Sequence, residues 1–198
     1  MRIVEIFSSL QGEGMNTGVL VTFVRLQGCN LNCWFCDTTF DEGEYYTIEE
    51  LAAVLEEKGI RRIIWTGGEP TLQLTKEIVQ YFKSLGYWQA IETNGTARPP
   101  EGLDYISVSP KVSVEVLREN FEGIVIDEIR YPIGEDTVPP NIDDLPQSRN
   151  YLLSPIFLGE NKERLLMSSS NLTHCLDLIH KDSRWRLSLQ LHKLIGIQ

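Results

Sequence analysis

The sequence predicts an α/β protein in which parallel strands form an incomplete barrel. From residue 19 to residue 108, segments with the apolar pattern of strands alternate with segments that have the apolar period of helices. This order is typical of parallel strands joined by crossover helices. Roughly six strands are expected, with few helices between the later ones, and a closed eight-stranded barrel needs more.

Size and charge narrow the class of protein. The 198 residues are enough for one domain with a sizeable core and few for two, so we predict a single domain over residues 1–198. The 18 Lys and Arg residues against 28 Asp and Glu residues give a formal net charge of −10. Phosphate binding needs a basic face, so this charge argues against a nucleic-acid partner.

The N-terminus and the cysteines predict a cytoplasmic protein with no membrane partner. Residues 1–14 lack the long apolar region of a secretory signal, and no apolar run approaches the length of a membrane span. Three of the four cysteines lie within eight residues, which is not the spread distribution typical of disulfides. We therefore expect a reducing compartment.

Strand composition and helix caps predict the elements before residue 112. Residues 2–7 form a short strand followed by a turn-rich loop, and the β-branched residues 19–26 form a buried strand. Thr47 and Glu50 have the spacing of a capping box at a helix start, and Gly59 is a typical helix end. The other elements are a strand over 61–66, a helix that ends at Gly86 with the apolar stripe Leu74, Ile78, Tyr81, Phe82 and Leu85, and strands over 87–93 and 103–108.

The pattern after residue 111 is weaker. It predicts a helix over 112–120, a strand over 123–131, an acidic proline-rich loop over 132–150, a strand over 151–157, a helix over about 162–180 and a last strand over 185–191. Cys175 lies in the apolar stripe of the later helix and is predicted to be a core residue, not a metal ligand.

The most informative motif lies in the loop of residues 28–38. Cys29, Cys33 and Cys36, spaced C-x3-C-x2-C, directly follow the buried strand. Three thiolates can ligate three irons of a four-iron cluster and leave the fourth iron open for an outside molecule. The spacing alone is also compatible with half of a zinc site completed by a distant His, or with three buried side chains that only fill space.

Three more groups of unusual residues follow other predicted strands. They are Gly67-Gly68-Glu69-Pro70, Glu92-Thr93-Asn94-Gly95 and Ser109-Pro110-Lys111. Because ligands bind at the carboxyl ends of parallel strands, we expect these groups and the cysteines to line one site. The paired glycines let a ligand lie against bare backbone, although the same four residues are by themselves an ordinary turn before a helix.

The cysteine motif, with Phe35 before its third cysteine, and the Gly-Gly-Glu-Pro turn together resemble the radical S-adenosylmethionine (SAM) superfamily. The resemblance implies a [4Fe-4S] cluster on the three cysteines, with SAM bound at the open iron as the source of a 5′-deoxyadenosyl radical. The SAM-binding residues that it implies are Phe35, Gly67, Gly68, Glu69, Glu92, Asn94, Ser109, Pro110 and Lys111.

Other segments resemble the 7-carboxy-7-deazaguanine synthase family within that superfamily. These are residues 10–14, 24–29, 36–38 and 186–193, whereas residues 112–150 match poorly. The resemblance implies conversion of 6-carboxy-5,6,7,8-tetrahydropterin into 7-carboxy-7-deazaguanine with loss of ammonia, on the route to queuosine and other 7-deazapurines. The radical would abstract the C6 hydrogen, and contraction of the ring would follow.

The same resemblance implies residues that bind the pterin and Mg²⁺. The pterin contacts are Leu10, Gln11, Gly12, Arg25, Thr66, Gln190, His192 and Gln198, the last three in a C-terminal substrate-side segment over 185–198. Arg25 would bind the substrate carboxylate, although an Arg at a strand end is often a surface ion-pair partner. Thr38 would ligate Mg²⁺ while substrate oxygens complete the shell, although a Thr in a loop is usually a turn residue. Without the family context, a His near a C-terminus is usually exposed to solvent.

The reaction requires an electron donor, for which we expect a flavodoxin-like protein, and the family implies a homodimer. Two other functions stay open at this point. A glycyl-radical-enzyme activase would share the cysteines and the Gly-Gly-Glu-Pro turn, but it has no need for the segments at 11–14, 36–38 and 190–193 together. A non-catalytic iron–sulfur or zinc-binding module would keep the fold for protein interaction, although degenerate copies usually lose a cysteine or a glycine and none is lost here.

Overall fold

The computed structural model describes residues 1–36, 38–40, 42–158 and 166–197. These residues form two compact units. The first consists of Met1–Leu10, Val19–Thr93 and Ala97–Ile106, and the second of Gln11–Gly18, Asn94–Thr96 and the described residues from Ser107 onward. The predicted single domain over residues 1–198 stays a prediction.

The first unit combines a mixed sheet with helices. Its elements are β1 (Arg2–Leu10), β2 (Leu20–Leu26), β3 (Glu44–Tyr45), α1 (Ile48–Lys58), β4 (Arg62–Gly67), a 3₁₀ helix (Pro70–Leu72), α2 (Lys76–Ser84) and β5 (Trp88–Thr93). The strands β2, β4 and β5 are parallel neighbours in that order, as the alternating pattern predicts. β1 lies antiparallel between β2 and β3, so the N-terminal strand departs from the parallel arrangement.

Helix α1 begins and ends at the predicted residues. Thr47 Oγ1 accepts a hydrogen bond from the Glu50 N–H at 3.2 Å, and the Glu50 carboxylate accepts one from the Thr47 N–H at 2.8 Å. Gly59 ends the helix in the left-handed conformation, with φ 67°. The capping-box prediction is therefore confirmed.

An apolar core joins these helices to the parallel strands. Leu51 and Leu55 of α1 and Phe82 of α2 are fully buried together with Trp65 of β4, whose ring meets Phe82 edge to face at 5.4 Å. Leu85 was predicted to share the apolar stripe but is 42% exposed, because α2 ends one residue before it.

The second unit is built on four parallel strands. Its elements are the last two residues of β6 (Tyr105–Val108), 3₁₀ helices at Gly14–Asn16 and Ile142–Asp144, α3 (Val114–Asn120), β7 (Glu128–Ile133), β8 (Tyr151–Pro155), β9 (Phe157–Leu158), β10 (Leu166–Met167), α4 (Ser169–Lys181), β11 (Trp185–Leu187) and α5 (Leu191–Ile195). The parallel order is β6, β7, β8, β11, and β9 pairs antiparallel with β10. No helix in the described part of the chain has the length and apolar character to cross a membrane.

Several predicted boundaries are wrong, mostly near the C-terminus. β1 extends to Leu10 because its pairing with β2 continues to Leu20. The helix predicted from about residue 162 begins at Ser169, since Ser168 caps it and the two residues before Ser168 form a strand; residues 162–165 lie outside the described residues. The last strand stops at Leu187, and Leu191–Ile195 form α5.

Candidate active site

The cysteine loop begins where β2 ends, as predicted. The Gly28 N–H donates to the Phe40 carbonyl at 3.1 Å, and this bond closes the loop at its base. The Cys36 N–H donates to the Cys33 carbonyl at 3.0 Å and makes a turn between the second and third cysteines. Cys29, Cys33 and Cys36 are half-buried, and none of them forms a disulfide.

The chemistry of this loop fits an iron–sulfur cluster. It offers three thiols within eight residues, in a segment that is neither helix nor strand, so the thiols belong to one short loop. In the described residues, no group of three or more His, Cys, Asp or Glu side chains is arranged to hold a metal ion. Ligation by the three cysteines stays a prediction.

The structure brings the Gly-Gly-Glu-Pro turn against the start of the cysteine loop. The Gly68 N–H donates to the Leu26 carbonyl at 3.0 Å, and the Glu69 N–H donates to the Gly28 carbonyl at 2.9 Å. A Cβ atom on Gly68 would overlap the Gly28 carbonyl, and Gly67 has a φ of 112°, so both positions require glycine. Two motifs about forty residues apart in the chain are thus joined backbone to backbone.

The two glutamates predicted to contact SAM have polar partners inside the first unit. Glu69 is completely buried, and its Oε1 accepts hydrogen bonds from the Thr71 and Thr93 hydroxyls, each at 2.7 Å. Glu92 Oε2 accepts one from the Thr66 hydroxyl at 3.3 Å. Glu69 therefore fixes the turn to the end of β5, and Glu92 and Thr66 lie together.

Arg25 and Thr38, predicted to bind the substrate carboxylate and Mg²⁺, are in contact. Arg25 Nη1 donates to Thr38 Oγ1 at 3.2 Å. Arg25 Nε also pairs with Glu5 at 2.5 Å, and its guanidinium lies over the Phe7 ring at 5.6 Å from the centroid. Arg25 thus has the ion pair that the sequence left open as an alternative, and this pair also orients the guanidinium.

In the second unit, four residues predicted to contact SAM lie together. The Lys111 N–H donates to the Asn94 carbonyl at 3.0 Å, and Lys111 Nζ donates to Ser109 Oγ at 2.7 Å. Pro110 between them is buried. Asn94 Oδ1 accepts a hydrogen bond from the Thr96 N–H at 2.9 Å, which fixes the turn that follows β5.

The predicted pterin residues of the second unit also meet. The Leu191 N–H donates to the Gly12 carbonyl at 2.8 Å, and a Cβ atom on Gly12 would overlap the His192 ring. Gln11 is buried, and Gln190 Nε2 donates to Glu13 Oε1 at 2.6 Å.

Three predicted site residues remain. Leu10 is half-buried at the end of β1, and the Phe35 ring lies edge to face against Trp34, with 5.4 Å between the ring centroids. Gln198 lies outside the described residues.

Comparison with known proteins places this geometry in a family. The sequence profile of the radical SAM superfamily matches residues 23–168. The 7-carboxy-7-deazaguanine synthase of Bacteroides thetaiotaomicron is 36% identical over 199 residues, which cover 100% of this chain and 98% of that protein. The chain belongs to the 7-carboxy-7-deazaguanine synthase family. The Haemophilus influenzae member of this family is 39% identical over 204 residues, covering 99% of this chain and 93% of its own length.

A solved structure agrees with this membership of the synthase family. The crystal structure of QueE from Escherichia coli is 25% identical and has a TM-score of 0.72, over 96% of this chain and 94% of its own. The predicted fold class, an incomplete α/β barrel of the radical SAM type, and the predicted class of enzyme are confirmed. Membership of the superfamily also implies the predicted [4Fe-4S] cluster and SAM, whereas Mg²⁺ stays a prediction.

A charged cluster on β7 of this synthase-family chain was not predicted from the sequence. Glu128 and Arg130 are buried, and Arg130 pairs with both Glu128 and Glu13. A Glu and an Arg two residues apart in an apolar strand point to the same face of a sheet, and this signal was available. The partners could not be inferred, because Glu13 lies more than a hundred residues earlier.

The fourth cysteine is a core residue, and Tyr131 of β7 is half-buried. Burial raises the pKa of Cys175 to about 12 and that of Tyr131 to about 12. Both side chains therefore stay neutral near physiological pH. The predicted core position of Cys175 is confirmed.

Proposed function

We propose that this chain converts 6-carboxy-5,6,7,8-tetrahydropterin into 7-carboxy-7-deazaguanine with loss of ammonia, in the biosynthesis of queuosine and other 7-deazapurines. The observation that carries the proposal is the backbone pairing of the three-cysteine loop with the Gly-Gly-Glu-Pro turn, through the Glu69 N–H and the Gly28 carbonyl at 2.9 Å. Relatives that bear the synthase name match this chain over its whole length, which supports the same reaction here.

The first unit would hold the radical source. When bound, the cluster and SAM supply a 5′-deoxyadenosyl radical that abstracts the C6 hydrogen of the pterin. Cys29, Cys33 and Cys36 would hold the cluster, and the backbone of Gly67 and Gly68 would bind the methionyl end of SAM. The other residues proposed as SAM contacts are Phe35, Glu92, Asn94, Ser109, Pro110 and Lys111.

Arg25 and Thr38 would act on the substrate carboxylate. The guanidinium is held by Glu5 and Phe7, so it presents its remaining N–H groups in a fixed direction for a bidentate contact. Thr38 Oγ1 is proposed as a Mg²⁺ ligand, because Mg²⁺ prefers oxygen ligands and this hydroxyl lies beside the Arg25 guanidinium. Substrate oxygens and water would supply the other ligands.

The pterin ring would be bound through polar groups of the chain. Gln11, Gly12, Gln190 and His192 offer amide, carbonyl and ring nitrogen groups, and the ring needs a fixed set of donors and acceptors. Leu10 and Thr66 are proposed as further contacts, and Gln198 as a contact from the chain end. Held this way, the C6 atom of the pterin would stay in place while the ring contracts.

We propose a homodimer in the cytoplasm that receives electrons from a flavodoxin-like protein. Sedimentation equilibrium tests the dimer, and a monomer at micromolar concentration would refute it. Stopped-flow reduction of the cluster by reduced flavodoxin tests the donor, with dithionite as the positive control. Cluster reduction by dithionite alone would remove the flavodoxin-like donor from the proposal.

An anaerobic assay tests the reaction. The reconstituted protein is mixed with dithionite, SAM, Mg²⁺ and the carboxytetrahydropterin, and the products are followed by mass spectrometry. We expect 7-carboxy-7-deazaguanine from the wild type and from Cys175→Ala, whose thiol is in the core, and none from Cys33→Ala.

The other outcomes separate the alternatives. 5′-Deoxyadenosine without the deazaguanine would keep the radical enzyme and reject this substrate, as for a glycyl-radical-enzyme activase. Neither product, with an intact cluster spectrum, would favour the non-catalytic binding module.

A further inference from the structure

Three charged side chains form a cluster inside the second unit. Arg130 of β7 is buried, and its guanidinium reaches two carboxylates. Arg130 Nη1 pairs with Glu128 at 2.8 Å, and Nε pairs with Glu13 at 3.0 Å. The exposed fractions of the three side chains are 8% for Arg130, 3% for Glu128 and 18% for Glu13. Two carboxylates thus share one arginine in a place with little water.

Each carboxylate also bonds a segment outside β7. Glu128 Oε2 accepts a hydrogen bond from the Met15 N–H at 2.8 Å. Glu13 Oε1 accepts one from Gln190 Nε2 at 2.6 Å. The cluster therefore ties residues 11–15 and the start of α5 to β7.

Two more contacts make these ties specific. The Gly14 N–H donates to Ser188 Oγ at 2.9 Å, which joins the two tied segments directly. Gly14 has a φ of 67°, and a Cβ atom there would overlap the Glu128 carboxylate. The segment can pass so close to Glu128 only because residue 14 is a glycine.

Stability alone does not account for such a cluster. Burying three charges requires removal of their water, and well-packed apolar side chains of similar volume would often stabilise a fold as well or better. The guanidinium of an arginine is planar and rigid, in contrast, so two carboxylates that pair with it are held in fixed positions relative to each other. The arrangement therefore suits a role in positioning the two segments that it ties to β7. These segments carry Gln11, Gly12, Gln190 and His192.

We propose that Arg130 and Glu128 are positioning residues for the pterin site, acting through Glu13 and the backbone of residue 15. This inference rests on the proposed function, because it assigns these residues to the substrate side of that reaction. They touch neither SAM nor the cysteine loop in this assignment. Their loss should impair pterin binding while SAM cleavage in the absence of pterin continues.

The test compares Glu13→Gln, Arg130→Lys and Arg130→Gln with Arg184→Gln as the matched control. Arg184 also pairs with two carboxylates, Asp143 and Asp182, but its side chain is 48% exposed. Glu13→Gln leaves the deeper pair of Arg130 and Glu128 intact, so this variant is expected to fold. The measurements are KM for the pterin, kcat, 5′-deoxyadenosine formation without pterin, and amide hydrogen exchange.

We expect Glu13→Gln and Arg130→Lys to raise KM roughly 10- to 100-fold with a smaller change in kcat. Arg130→Lys should lie between the wild type and Arg130→Gln, because lysine keeps the charge but not the fork. Amide exchange in residues 11–18 and 188–197 should increase, and pterin-independent SAM cleavage should match the wild type. Arg184→Gln should match the wild type in all four measurements.

Unchanged KM and unchanged exchange in those two segments in Glu13→Gln and Arg130→Lys would overturn the proposal. Equal loss of SAM cleavage and pterin turnover would also overturn it, since that result indicates a general structural role. If the wild type makes no deazaguanine, the proposed function fails. The exchange data then still decide whether the cluster positions the two segments.

Discussion

At Gly68, the absence of a side chain lets the Gly-Gly-Glu-Pro turn lie against the carbonyl of Gly28. Because the overlapping atom is backbone, Gly68→Ala must shift the turn or the start of the cysteine loop. We expect a loss of about 1–3 kcal/mol in the free energy of unfolding of the cluster-free protein, and weaker SAM binding after reconstitution. Urea unfolding and equilibrium dialysis measure the two effects.

Gly134→Ala is the matched control for Gly68→Ala. A Cβ atom there would have only ordinary contacts, 3.5 Å from Thr137 and 3.8 Å from Ile156. It should leave SAM binding unchanged. If the Gly68→Ala protein had the stability and the SAM affinity of the wild type, the close approach of Gly68 to the Gly28 carbonyl would not be needed.

The side-chain hydroxyl of Thr38 allows a second test at a single residue. If this hydroxyl ligates Mg²⁺, Thr38→Ala should raise the Mg²⁺ concentration for half-maximal activity roughly tenfold or more. Thr38→Ser keeps the hydroxyl and should stay near the wild type, as should Thr39→Ala at the exposed neighbouring position. Titration of Mg²⁺ into chelator-treated enzyme measures this. The same Mg²⁺ dependence in Thr38→Ala and the wild type would reject Thr38 as a ligand.

Residue types were easier to infer from the sequence than residue partners. The need for glycine at 67 and 68 followed from the motif, since the reason is local backbone conformation. The contact between Arg25 and Glu5, by contrast, depends on the antiparallel register of β1 and β2, which pairs these two residues. Register across two strands is a tertiary property that residue types do not encode singly.

At the scale of one helix, the capping box of α1 has a measurable effect. Thr47→Ala removes the hydroxyl that accepts from the Glu50 N–H, and we expect a loss of about 1 kcal/mol in the free energy of unfolding. Thr75 occupies the same position before α2 but makes no side-chain cap bond, so Thr75→Ala is the matched control with a smaller loss. Urea unfolding measures both, and equal losses would contradict the argument.

The same capping box gives the stability a pH dependence. Hydrogen bonds from the Thr47 N–H and then from its hydroxyl lower the pKa of Glu50 from its usual 4.5. The stabilisation is therefore present above the unfolded-state pKa and is lost as the pH falls through the lower folded-state pKa. The stability difference between wild type and Glu50→Gln should shrink from about pH 7 to about pH 3. Glu49→Gln is the control, and a difference that grows on acidification would reject the assignment.

Helix α1 was predictable because its start and end signals are local, whereas the C-terminal elements were not. No Ser, Thr, Asp or Asn stands at the N-cap of α5, which is Gln190, so the short apolar period of residues 191–197 could not separate strand from helix. Contact with the carbonyl of Gly12 helps to decide the outcome, because it binds the first N–H of α5. A partner so far away in the chain is invisible to a local pattern.

For the whole molecule, the alternating pattern was sufficient to predict a mostly parallel sheet, since crossover helices force that direction. It could not show that β1 runs antiparallel, because the short connection to β2 and the pairing with β3 determine that direction. Where the chemistry gathers was also predictable from topology. The cysteine loop and the Gly-Gly-Glu-Pro turn lie at the carboxyl ends of β2 and β4, which are parallel neighbours.

The fold of the whole chain is expected to be independent of its cluster. The cysteine loop is fixed by backbone bonds of Gly28 to Phe40 and to Glu69, and the residue that ends β2, Leu26, is fully buried. A triple variant with alanine at positions 29, 33 and 36 should therefore keep the free energy of unfolding of the cluster-free wild type within about 1 kcal/mol. Urea unfolding and far-UV circular dichroism measure this.

Cys175→Ala provides the contrast for the triple variant. This single substitution empties space in the core of the second unit, so it should destabilise the protein by about 1 kcal/mol or more. The three loop substitutions together should then matter less for stability than the one in the core, while they abolish cluster assembly. A closed structural zinc site behaves in the opposite way, because its metal supplies folding free energy directly. Unfolding of the triple variant, or of the wild type treated with chelator, would therefore favour a zinc-binding module over a radical enzyme.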